Sequence, residues 1–442
     1  MQIMNKKLFG TDGIRGVAGE YPLDRSTAYA VGAALGIQLR DVVDPAVVIG
    51  MDTRESGQWL AEHMAGGLTS QGVEVQFAGV TATPGVAYLA RTGDFSAGVM
   101  ISASHNPYRD NGMKILSNSG YKLPDIEEER LEEEIFRLLE SGIEPHAQAL
   151  LVDEGLDCAY IDHLANTLPK PISGLKIVAD CANGSVSHLA PRLLARAGAT
   201  VITLCASPDG RNINLDCGSL HLEKLREAVL REGADLGVAY DGDADRALFV
   251  SHSGKVVDGD AVLYLTAKFM QAPLVVATVM SNLGLELALA RQGIQMVRTP
   301  VGDKYVLEEM LRLNARLGGE QSGHIIFREF ATTGDGMLTT LRVLEVMQST
   351  GCDLDHLIED LHILPQLLVN IRVKSRKPIA EMPAVVNSIR AAEEFFGKEG
   401  RVLVRFSGTE PLARVMVEGR DPERVEFFAK DIAACIEREL GV

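Results

Sequence analysis

Short apolar runs rich in valine and isoleucine recur along the chain, and each ends in a polar or glycine-containing turn. After each turn the spacing of apolar positions changes to that of a helix. Repetition of strand, turn and helix is typical of parallel sheets with crossover helices, so the sequence predicts an α/β fold. The clearest runs lie at 46–49, 176–179 and 274–279. They occur about once per expected domain, which indicates three similar βα units in tandem.

The last part of the chain has a different pattern of apolar positions. Strands are predicted near 366–373, 402–405 and 413–417. A closing helix is predicted after them, because apolar residues recur there at helical spacing and fall on one face. These residues are Val425, Phe428, Ile432 and Ile436. The sequence therefore predicts a small α+β domain at this end.

The chain has 442 residues and is too long for one compact core, since domains usually contain ~100 to 200 residues. Breaks are expected after the charged helix at 125–140, at the turn 253–254 and after Pro365. Four domains are therefore predicted. They are α/β domain I over 1–150, α/β domain II over 151–255, α/β domain III over 256–366 and α+β domain IV over 367–442.

Composition and charge argue against some classes of binding partner. The formal net charge is -17, so nonspecific binding to nucleic acid or to an anionic membrane is not expected. The first ten residues lack the apolar stretch of a secretory signal, and no apolar run approaches the ~20 residues of a membrane-spanning helix. A cytoplasmic protein is expected. Its six cysteines are scattered without a C-x-x-C pair and are predicted to be reduced and mostly buried.

The strongest candidate for chemistry is the segment 241–246, DGDADR, which follows an apolar run. It lies at the carboxyl end of a predicted strand, where open α/β sheets bind ligands. The carboxylates of Asp241, Asp243 and Asp245 can converge if the backbone stays extended, and such hard oxygen ligands suit Mg²⁺. Taken alone, the segment could equally be a solvated acidic turn. Calcium is less favoured because the glycine and the bidentate glutamate of an EF-hand are missing.

The second candidate is the segment 102–107, SASHNP, which follows the apolar run 97–101. Ser104 beside His105 suggests nucleophilic or phosphoryl-transfer chemistry, because a hydroxyl needs activation or an attached leaving group. Adjacent serine and histidine do not by themselves form a hydrolase relay, and no G-x-S-x-G elbow surrounds the serine. Taken alone, a plain polar turn is the more economical interpretation. Downstream, Lys114 could return a cation to the same place.

Two further loops have the composition of binding sites. The segment 405–411, RFSGTEP, with Arg414 after it, combines hydroxyls, a glycine N–H and two arginines. Guanidinium groups bind phosphate oxygens bidentately, so this loop is either a phosphate cradle or a plain hairpin loop. The segment 319–324, GEQSGH, places short polar side chains between glycines. Such side chains suit hydrogen bonds to sugar hydroxyls, although this signal is weak on its own.

Together with GTDGIRG at 10–16, these four segments, in this order, resemble the α-D-phosphohexomutase family almost from end to end. The resemblance implies four domains around a central cleft, the first three being related α/β folds with mixed sheets. It also implies that Ser104 is phosphorylated and that one Mg²⁺ per chain is held. The implied metal ligands are Asp241, Asp243, Asp245 and a phosphate oxygen on Ser104.

The resemblance also assigns roles to the remaining residues. Those implied to surround the transferring group or to move protons are Arg15, His105, Lys114, Arg246 and His324. Glu320 and Ser322 would bind the sugar. The phosphate that does not react would be held by Arg405, Ser407, Gly408, Thr409 and Arg414. There is one departure, since Phe406 stands where the family usually has proline.

The implied reaction moves a phosphoryl group within a hexose phosphate. The sugar C1 hydroxyl attacks the phosphoserine, and the resulting hexose 1,6-bisphosphate turns round and returns its 6-phosphate to Ser104. His324 and Arg15 are the best candidates for the base, with Lys114 assisting. Features at 8–16, 301–307, Gln321 and 332–336 most resemble family members that act on hexosamine phosphates, and a homodimer is expected.

Three alternatives remain open from the sequence. The nearest is a mutase with the same machinery that prefers a neutral hexose phosphate. A phosphatase would require water, rather than a sugar hydroxyl, to reach the phosphoserine. A catalytically silent regulator that binds sugar phosphates belongs to another class, and it would not need Ser104 together with all three carboxylates.

Overall fold

The computed structural model describes residues 8–10, 12–407 and 411–441. By internal contacts the chain forms two compact units. The larger comprises Met1–Val279 with Val297–Ile358, and the smaller comprises Met280–Met296 with Glu359–Val442. None of the helices in the described part of the chain is long and apolar enough to cross a membrane.

The first sheet has six strands in the order β1-β2-β6-β5-β3-β4. Its strands are β1 (Phe9–Gly10), β2 (Gly13–Val17), β3 (Ala46–Met51), β4 (Glu74–Val80), β5 (Ala97–Ile101) and β6 (Asp110–Ser117). The helices of this region are α1 (Arg25–Gln38), α2 (Gly57–Ser70), α3 (Thr83–Thr92) and α4 (Asp125–Glu140). The charged helix predicted at 125–140 is therefore present as α4.

The second sheet has five strands in the order β11-β10-β9-β7-β8. These are β7 (Lys176–Asp180), β8 (Thr200–Leu204), β9 (Leu236–Tyr240), β10 (Ala247–Ser251) and β11 (Val256–Val257). The accompanying helices are α5 (Glu154–Asn166), α6 (Leu189–Ala197) and α7 (Glu223–Glu232).

The third sheet has four strands in the order β13-β12-β14-β15. They are β12 (Leu274–Thr278), β13 (Gln295–Thr299), β14 (Leu317–Gly319) and β15 (Ile325–Phe327). The helices of this part of the chain are α8 (Gly259–Met270), α9 (Leu283–Arg291), α10 (Asp303–Leu313), α11 (Gly336–Thr350) and α12 (Leu354–Leu357).

The same strand order occurs in all three sheets and confirms the predicted repeat. The strands of each unit can be counted from β3, β7 or β12. In every unit the first strand lies between the second and the third, and the fourth lies beyond the third. The first and third strands pair in parallel, whereas the third and fourth pair antiparallel. Each first strand is buried along almost its whole length. Burial on both faces explains why these strands appear in the sequence as unbroken apolar runs.

The C-terminal sheet is antiparallel, in the order β16-β18-β17. Its elements are β16 (Gln366–Arg372), α13 (Pro383–Phe396), β17 (Gly400–Phe406), β18 (Leu412–Gly419) and α14 (Pro422–Leu440). The four apolar residues predicted to share one face of the closing helix are all buried in the core of this region. The predicted α+β character of the C-terminal region is confirmed.

The repeat places three connecting segments at corresponding positions. In each sheet the chain leaves the third strand, makes a turn and returns as the antiparallel fourth strand. The turns follow β5, β9 and β14, and they contain the segments 102–107, 241–246 and 320–324, the last being the part of 319–324 beyond the end of β14. Three of the four sequence motifs therefore lie at the carboxyl ends of equivalent strands, which is the ligand-binding edge of open α/β sheets.

Candidate active site

The turn after β5 is held by a buried arginine. Arg54 Nη2 donates hydrogen bonds to the carbonyl oxygens of Ser104 (2.9 Å) and Asn106 (2.8 Å), and its Nη1 donates to that of Pro107. The Arg54 Nε donates to Asp52 Oδ2 at 2.9 Å, and both side chains are fully buried. One guanidinium group therefore satisfies three carbonyl groups of the turn and fixes its backbone. No pattern in the sequence marks either residue of this ion pair.

The Ser104 hydroxyl is directed at the acidic segment. Ser104 has a left-handed backbone with φ of 53°, and its N–H donates to Ser102 Oγ at 2.9 Å. Its Oγ donates to Asp241 Oδ2 at 2.5 Å and lies 3.3 Å from His105 Nδ1. The serine side chain is buried. The structure thus brings the predicted nucleophile into contact with the predicted metal ligands.

The three carboxylates of 241–245 converge, but not in the predicted way. The expectation of an extended backbone is wrong, because the segment is a turn in which Ala244 adopts a left-handed φ of 56°. Each of the three aspartates offers an oxygen within 4.8 Å of the others, and all three residues are buried. A Cβ at Gly242 would lie 2.4 Å from the Ser104 carbonyl oxygen, so glycine allows the serine turn to approach this closely.

The carboxylate cluster has the donors that a divalent cation requires. Oδ1 of Asp243 and Oδ1 of Asp245 are buried with no hydrogen-bond partner among the described residues. Burial, together with the charges of Asp245 and Asp243, raises the pKa of Asp241 well above its usual value. Three hard oxygen donors with unused lone pairs fit Mg²⁺. The residues present are therefore compatible with the metal that the sequence predicted.

The buried side chain of Lys114 partly compensates the negative charge of the aspartate cluster. Lys114 Nζ lies 2.7 Å from Asp243 Oδ2, 3.2 Å from Asp12 Oδ2 and 3.7 Å from Asp245 Oδ2. Burial lowers the pKa of Lys114, but the three carboxylates raise it by more, so the ammonium group stays charged. Asp12 also pairs with Arg15, which places the N-terminal motif beside the acidic cluster.

His105 lies between Ser104 and two arginines. Arg246 Nη1 is 3.2 Å from His105 Nδ1, and because a guanidinium group only donates, Nδ1 acts as the acceptor. Burial, and then the charges of Arg246 and Arg15, lower the pKa of His105 to about 4. The ring is therefore neutral at the pH at which most enzymes work.

This pKa leads to an expected pH dependence. Because the pKa of His105 is depressed, its protonated form is populated only well below pH 6, so it contributes no inflection between about pH 6 and pH 8. We expect His105→Gln to lower kcat, by roughly 100-fold if a polar contact to the reacting group is lost. The shape of the kcat/KM profile should not change over that range. An acidic limb near pH 6.5 that disappears in the variant would contradict this assignment.

His324 is held between a backbone amide and a carboxylate. The Gly334 N–H donates to His324 Nε2 at 3.0 Å, so a neutral ring carries its hydrogen on Nδ1. Nδ1 lies 3.6 Å from Asp245 Oδ2. Burial lowers the pKa of His324, but the hydrogen bond to Asp245 and the charges of Asp245, Asp303 and Glu320 together raise it by more, so the pKa lies above its usual value. The ring orients Asp245, while its suggested role as a base stays a prediction.

The turn after β14 carries the residues predicted to bind a sugar. Gly302 N donates to Glu320 Oε1 at 3.1 Å, and Ser322 Oγ lies 3.4 Å from Glu320 Oε2. Both side chains are only partly buried. The Ala247 N–H donates to the Gly323 carbonyl at 3.2 Å. This hydrogen bond joins the sugar-loop turn to the end of the acidic segment, so the two loops are neighbours.

The predicted phosphate cradle lies in the smaller unit. Arg405 on β17 and Arg414 on β18 are cross-strand partners. Burial, and then the charge of Arg414, lower the pKa of Arg405, as expected where two cations lie side by side. Ser407 is buried, and its N–H donates to the Leu412 carbonyl at 2.8 Å. Gly408 and Thr409 lie outside the described residues.

Phe406 has a packing role in the same region. It pairs with Ala413 across the two strands, and its side chain packs on the core of the C-terminal region. The residue that departs from the family pattern thus belongs to β17 and contributes apolar contacts there.

The larger unit therefore assembles most of the predicted site. The residues brought together are Arg15, Ser104, His105, Lys114, Asp241, Asp243, Asp245, Arg246, Glu320, Ser322 and His324.

The structure adds two residues that the sequence did not indicate. Lys122 Nζ lies 2.6 Å from both Asp12 Oδ1 and Asp303 Oδ2, and Thr83 Oγ1 donates to Asp243 Oδ2 at 2.5 Å. A serine hydroxyl aimed at clustered carboxylates, with cations around it, defines a phosphoryl-transfer site on a repeated α/β fold.

Comparison with known proteins identifies the family. Four models of phosphoglucomutase/phosphomannomutase domains match in order along the chain. They are alpha/beta/alpha domain I at residues 6–141, domain II at 158–254, domain III at 258–363 and the C-terminal domain at 368–434. The chain belongs to the phosphoglucomutase/phosphomannomutase family, and the predicted membership of the phosphohexomutases is confirmed.

Individual relatives show which members of the family this chain is similar to. A phosphoglucosamine mutase of Solibacter usitatus is 59% identical over 445 residues, covering 99% of this chain and 100% of the relative. One of Koribacter versatilis is 49% identical, with coverage of 99% and 98%. Among solved structures, a phosphoglucomutase/phosphomannomutase family protein of Burkholderia thailandensis superposes with a TM-score of 0.81 at 23% identity, covering 97% of both chains. That structure supports the fold alone.

Proposed function

We propose that this protein is an isomerase that interconverts glucosamine 6-phosphate and glucosamine 1-phosphate through phosphorylated Ser104 and a hexosamine 1,6-bisphosphate. The observation that carries the proposal is the contact between Ser104 Oγ and Asp241 Oδ2. It places a nucleophilic hydroxyl on a carboxylate cluster suited to a divalent cation. The choice of the amino sugar rests on full-length relatives at 45–59% identity that are phosphoglucosamine mutases. Such a product would supply the synthesis of UDP-N-acetylglucosamine.

The acidic turn would hold the metal. Asp241, Asp243 and Asp245 would supply carboxylate oxygens, and a phosphate oxygen on Ser104 would complete the protein-derived set. Mg²⁺, when bound, neutralises charge on the phosphoryl group and stabilises its transfer. Lys114 already offsets part of the negative charge of the cluster. The expected stoichiometry is one Mg²⁺ per chain.

The surrounding side chains orient the phosphoryl group and the sugar. Arg246 and Arg15 supply positive charge beside His105, where charge on the transferring group needs compensation. Glu320 and Ser322 present a carboxylate and a hydroxyl to the sugar. Arg405, Ser407 and Arg414, with Gly408 and Thr409, would bind the phosphate that does not react. The fixed backbone of the serine turn keeps the nucleophile in one position for both half-reactions.

The deciding measurement is kcat/KM for glucosamine 6-phosphate, glucose 6-phosphate and mannose 6-phosphate. Mg²⁺ and a hexose 1,6-bisphosphate are included so that Ser104 becomes phosphorylated. We expect the amino sugar to be the preferred substrate. Preference for a neutral hexose would replace the proposed substrate and keep the mechanism. Release of inorganic phosphate would indicate a phosphatase, and no turnover of any sugar would indicate a binding protein. The predicted homodimer is examined separately by measuring molecular mass in solution.

A further inference from the structure

Two thiols and a carboxylate meet in the second sheet, and none of the three has a role in the proposed reaction. Asp180 is the last residue of β7, and Cys205 directly follows β8, whose last residue Leu204 is paired with Asp180. Cys217 returns to the same place after the loop 206–216. One carboxylate oxygen and the two sulfur atoms all lie within 4.8 Å of one another. We propose that Asp180, Cys205 and Cys217 bind a thiophilic divalent cation, Zn²⁺.

The three donors are held in place by the backbone around them. Asp180 accepts from the N–H groups of Ala182 (2.9 Å) and Gly218 (3.0 Å). Gly218 has φ of 74°, and a Cβ there would lie 2.7 Å from the Tyr240 carbonyl oxygen. Only glycine therefore lets the chain pass this closely and bring Cys217 over Asp180. The Asp180 carboxylate also accepts a hydrogen bond from the Cys205 thiol, and loss of that thiol proton frees the lone pair for a metal.

The donor set selects a different cation from that of the aspartate cluster. Thiolate sulfur favours Zn²⁺ and other soft metals, whereas three carboxylates favour Mg²⁺. The two thiols hydrogen-bond to each other, and this bond lowers the pKa of the Cys205 thiol while it raises the pKa of the Cys217 thiol. Cys205 is only half-buried while Cys217 is buried. Solvent therefore reaches one side of the group, where water can occupy the fourth tetrahedral position.

Charge and protons balance without any change of oxidation state. Binding converts both thiols to thiolates and releases two protons to solvent. A divalent cation with two thiolates and one carboxylate carries a net charge of about -1. Lys224 adds positive charge close to Asp180 and to both cysteines. The affinity should consequently rise with pH as the thiols lose their protons.

A metal bound to Cys205 and Cys217 would hold together the two ends of the loop 206–216, which contacts the serine turn. Asn214, within the loop 206–216, donates from Nδ2 to the carbonyl oxygens of Ser104 (3.0 Å) and Asn106 (3.2 Å). The Gly210 carbonyl also accepts from the Glu55 N–H at 3.0 Å. Cys205 and Cys217 flank this loop, so a cation bound to both would restrain its two ends. We therefore expect Zn²⁺ to stabilise the folded protein against heat.

The experiment titrates the reduced, metal-free full-length protein with Co²⁺ as a spectroscopic probe. Binding at the proposed site should produce a thiolate-to-cobalt charge-transfer band in the near ultraviolet, which Zn²⁺ then removes. Co²⁺ held by the oxygen donors of Asp241, Asp243 and Asp245 gives no such band. The band should reach its maximum at one Co²⁺ per chain.

Matched cysteine variants complete the test. Cys205→Ser should lower the intensity of the band by at least half and weaken Zn²⁺ binding at least tenfold, and Cys217→Ser is a second variant with the same expected loss. Cys158→Ser, which removes an exposed cysteine on α5, should keep both properties. Circular dichroism checks that each variant is folded. The proposal is overturned if the reduced wild type shows no band, or if folded Cys205→Ser retains the band at full intensity.

Discussion

Ser104→Ala is expected to leave the protein folded and to lower kcat by roughly 10⁴-fold or more, as loss of a covalent nucleophile does. The hydroxyl removed is the one that lies 2.5 Å from Asp241 Oδ2. The left-handed backbone at this position costs alanine and serine about the same, and Arg54 still binds the carbonyl groups of the turn. Turnover is measured with glucosamine 6-phosphate, Mg²⁺ and a hexose 1,6-bisphosphate.

Phosphoryl uptake provides a second readout that does not depend on turnover. Intact mass should show one phosphate added to the wild type by the bisphosphate and none added to Ser104→Ala. Ser119→Ala removes an exposed serine from the same domain and should behave like the wild type in both assays. Substantial activity in Ser104→Ala, or phosphate incorporated elsewhere in that variant, would refute the role of Ser104 as nucleophile.

Lys114→Met is expected to destabilise the metal-free protein by about 3–5 kcal/mol, as removal of one partner of a buried ion pair does. Lys114 is 2% exposed and contacts three carboxylates, so methionine leaves negative charges close together without their cation. Mg²⁺ bound to two of these carboxylates should restore part of the loss. Urea unfolding with and without Mg²⁺ measures both effects.

The control for this comparison is Lys255→Met, which removes the charge of an exposed lysine. It should change stability by less than about 1 kcal/mol, and its response to Mg²⁺ should equal that of the wild type. If Lys114→Met is no less stable than this control, Lys114 does not compensate the aspartates. If Mg²⁺ stabilises wild type and Lys114→Met equally, the metal and the lysine do not share those carboxylates.

The sequence predicted the repeated architecture because the first strand of each sheet is buried on both faces. Such strands require apolar side chains at every position, and β3, β7 and β12 accordingly stand out as continuous runs. The closing helix was predicted for a related reason, since one buried face imposes helical spacing on Val425, Phe428 and Ile432. Both signals arise from burial, which acts on residues that are near in the chain.

Contacts between residues that are far apart in the sequence leave no comparable pattern in it. Arg54 is 50 residues from the carbonyl oxygen of Ser104 that it binds, and nothing in the spacing of either motif indicates that contact. Lys122 and Asp303 meet in the same way across two domains of the larger unit. The resemblance to a family assigned roles to motif residues, whereas the residues that support them depend on tertiary packing.

The shape of the acidic turn was mispredicted for a local reason. Alternating aspartates with small residues between them fit an extended strand, and alanine rarely adopts a left-handed conformation. Ala244 nevertheless does so, with φ of 56°, in a turn whose Ala244 carbonyl accepts from the Gly336 N–H and whose Gly242 carbonyl accepts from the Ser185 N–H. Contacts from other segments outweigh the intrinsic preference of one residue.

Because the three equivalent turns are separate segments of chain, each can change its sequence independently of the other two. The residues proposed as nucleophile, as metal ligands and as sugar-binding groups occupy the same position in three copies of one unit, so each proposed task has its own segment of chain. If Glu320 and Ser322 bind the sugar as proposed, a substitution at either can alter which sugar is accepted while the serine and aspartate turns keep their sequences. Selection or engineering of new substrates can therefore proceed on one copy, with the chemical apparatus inherited intact from the other two.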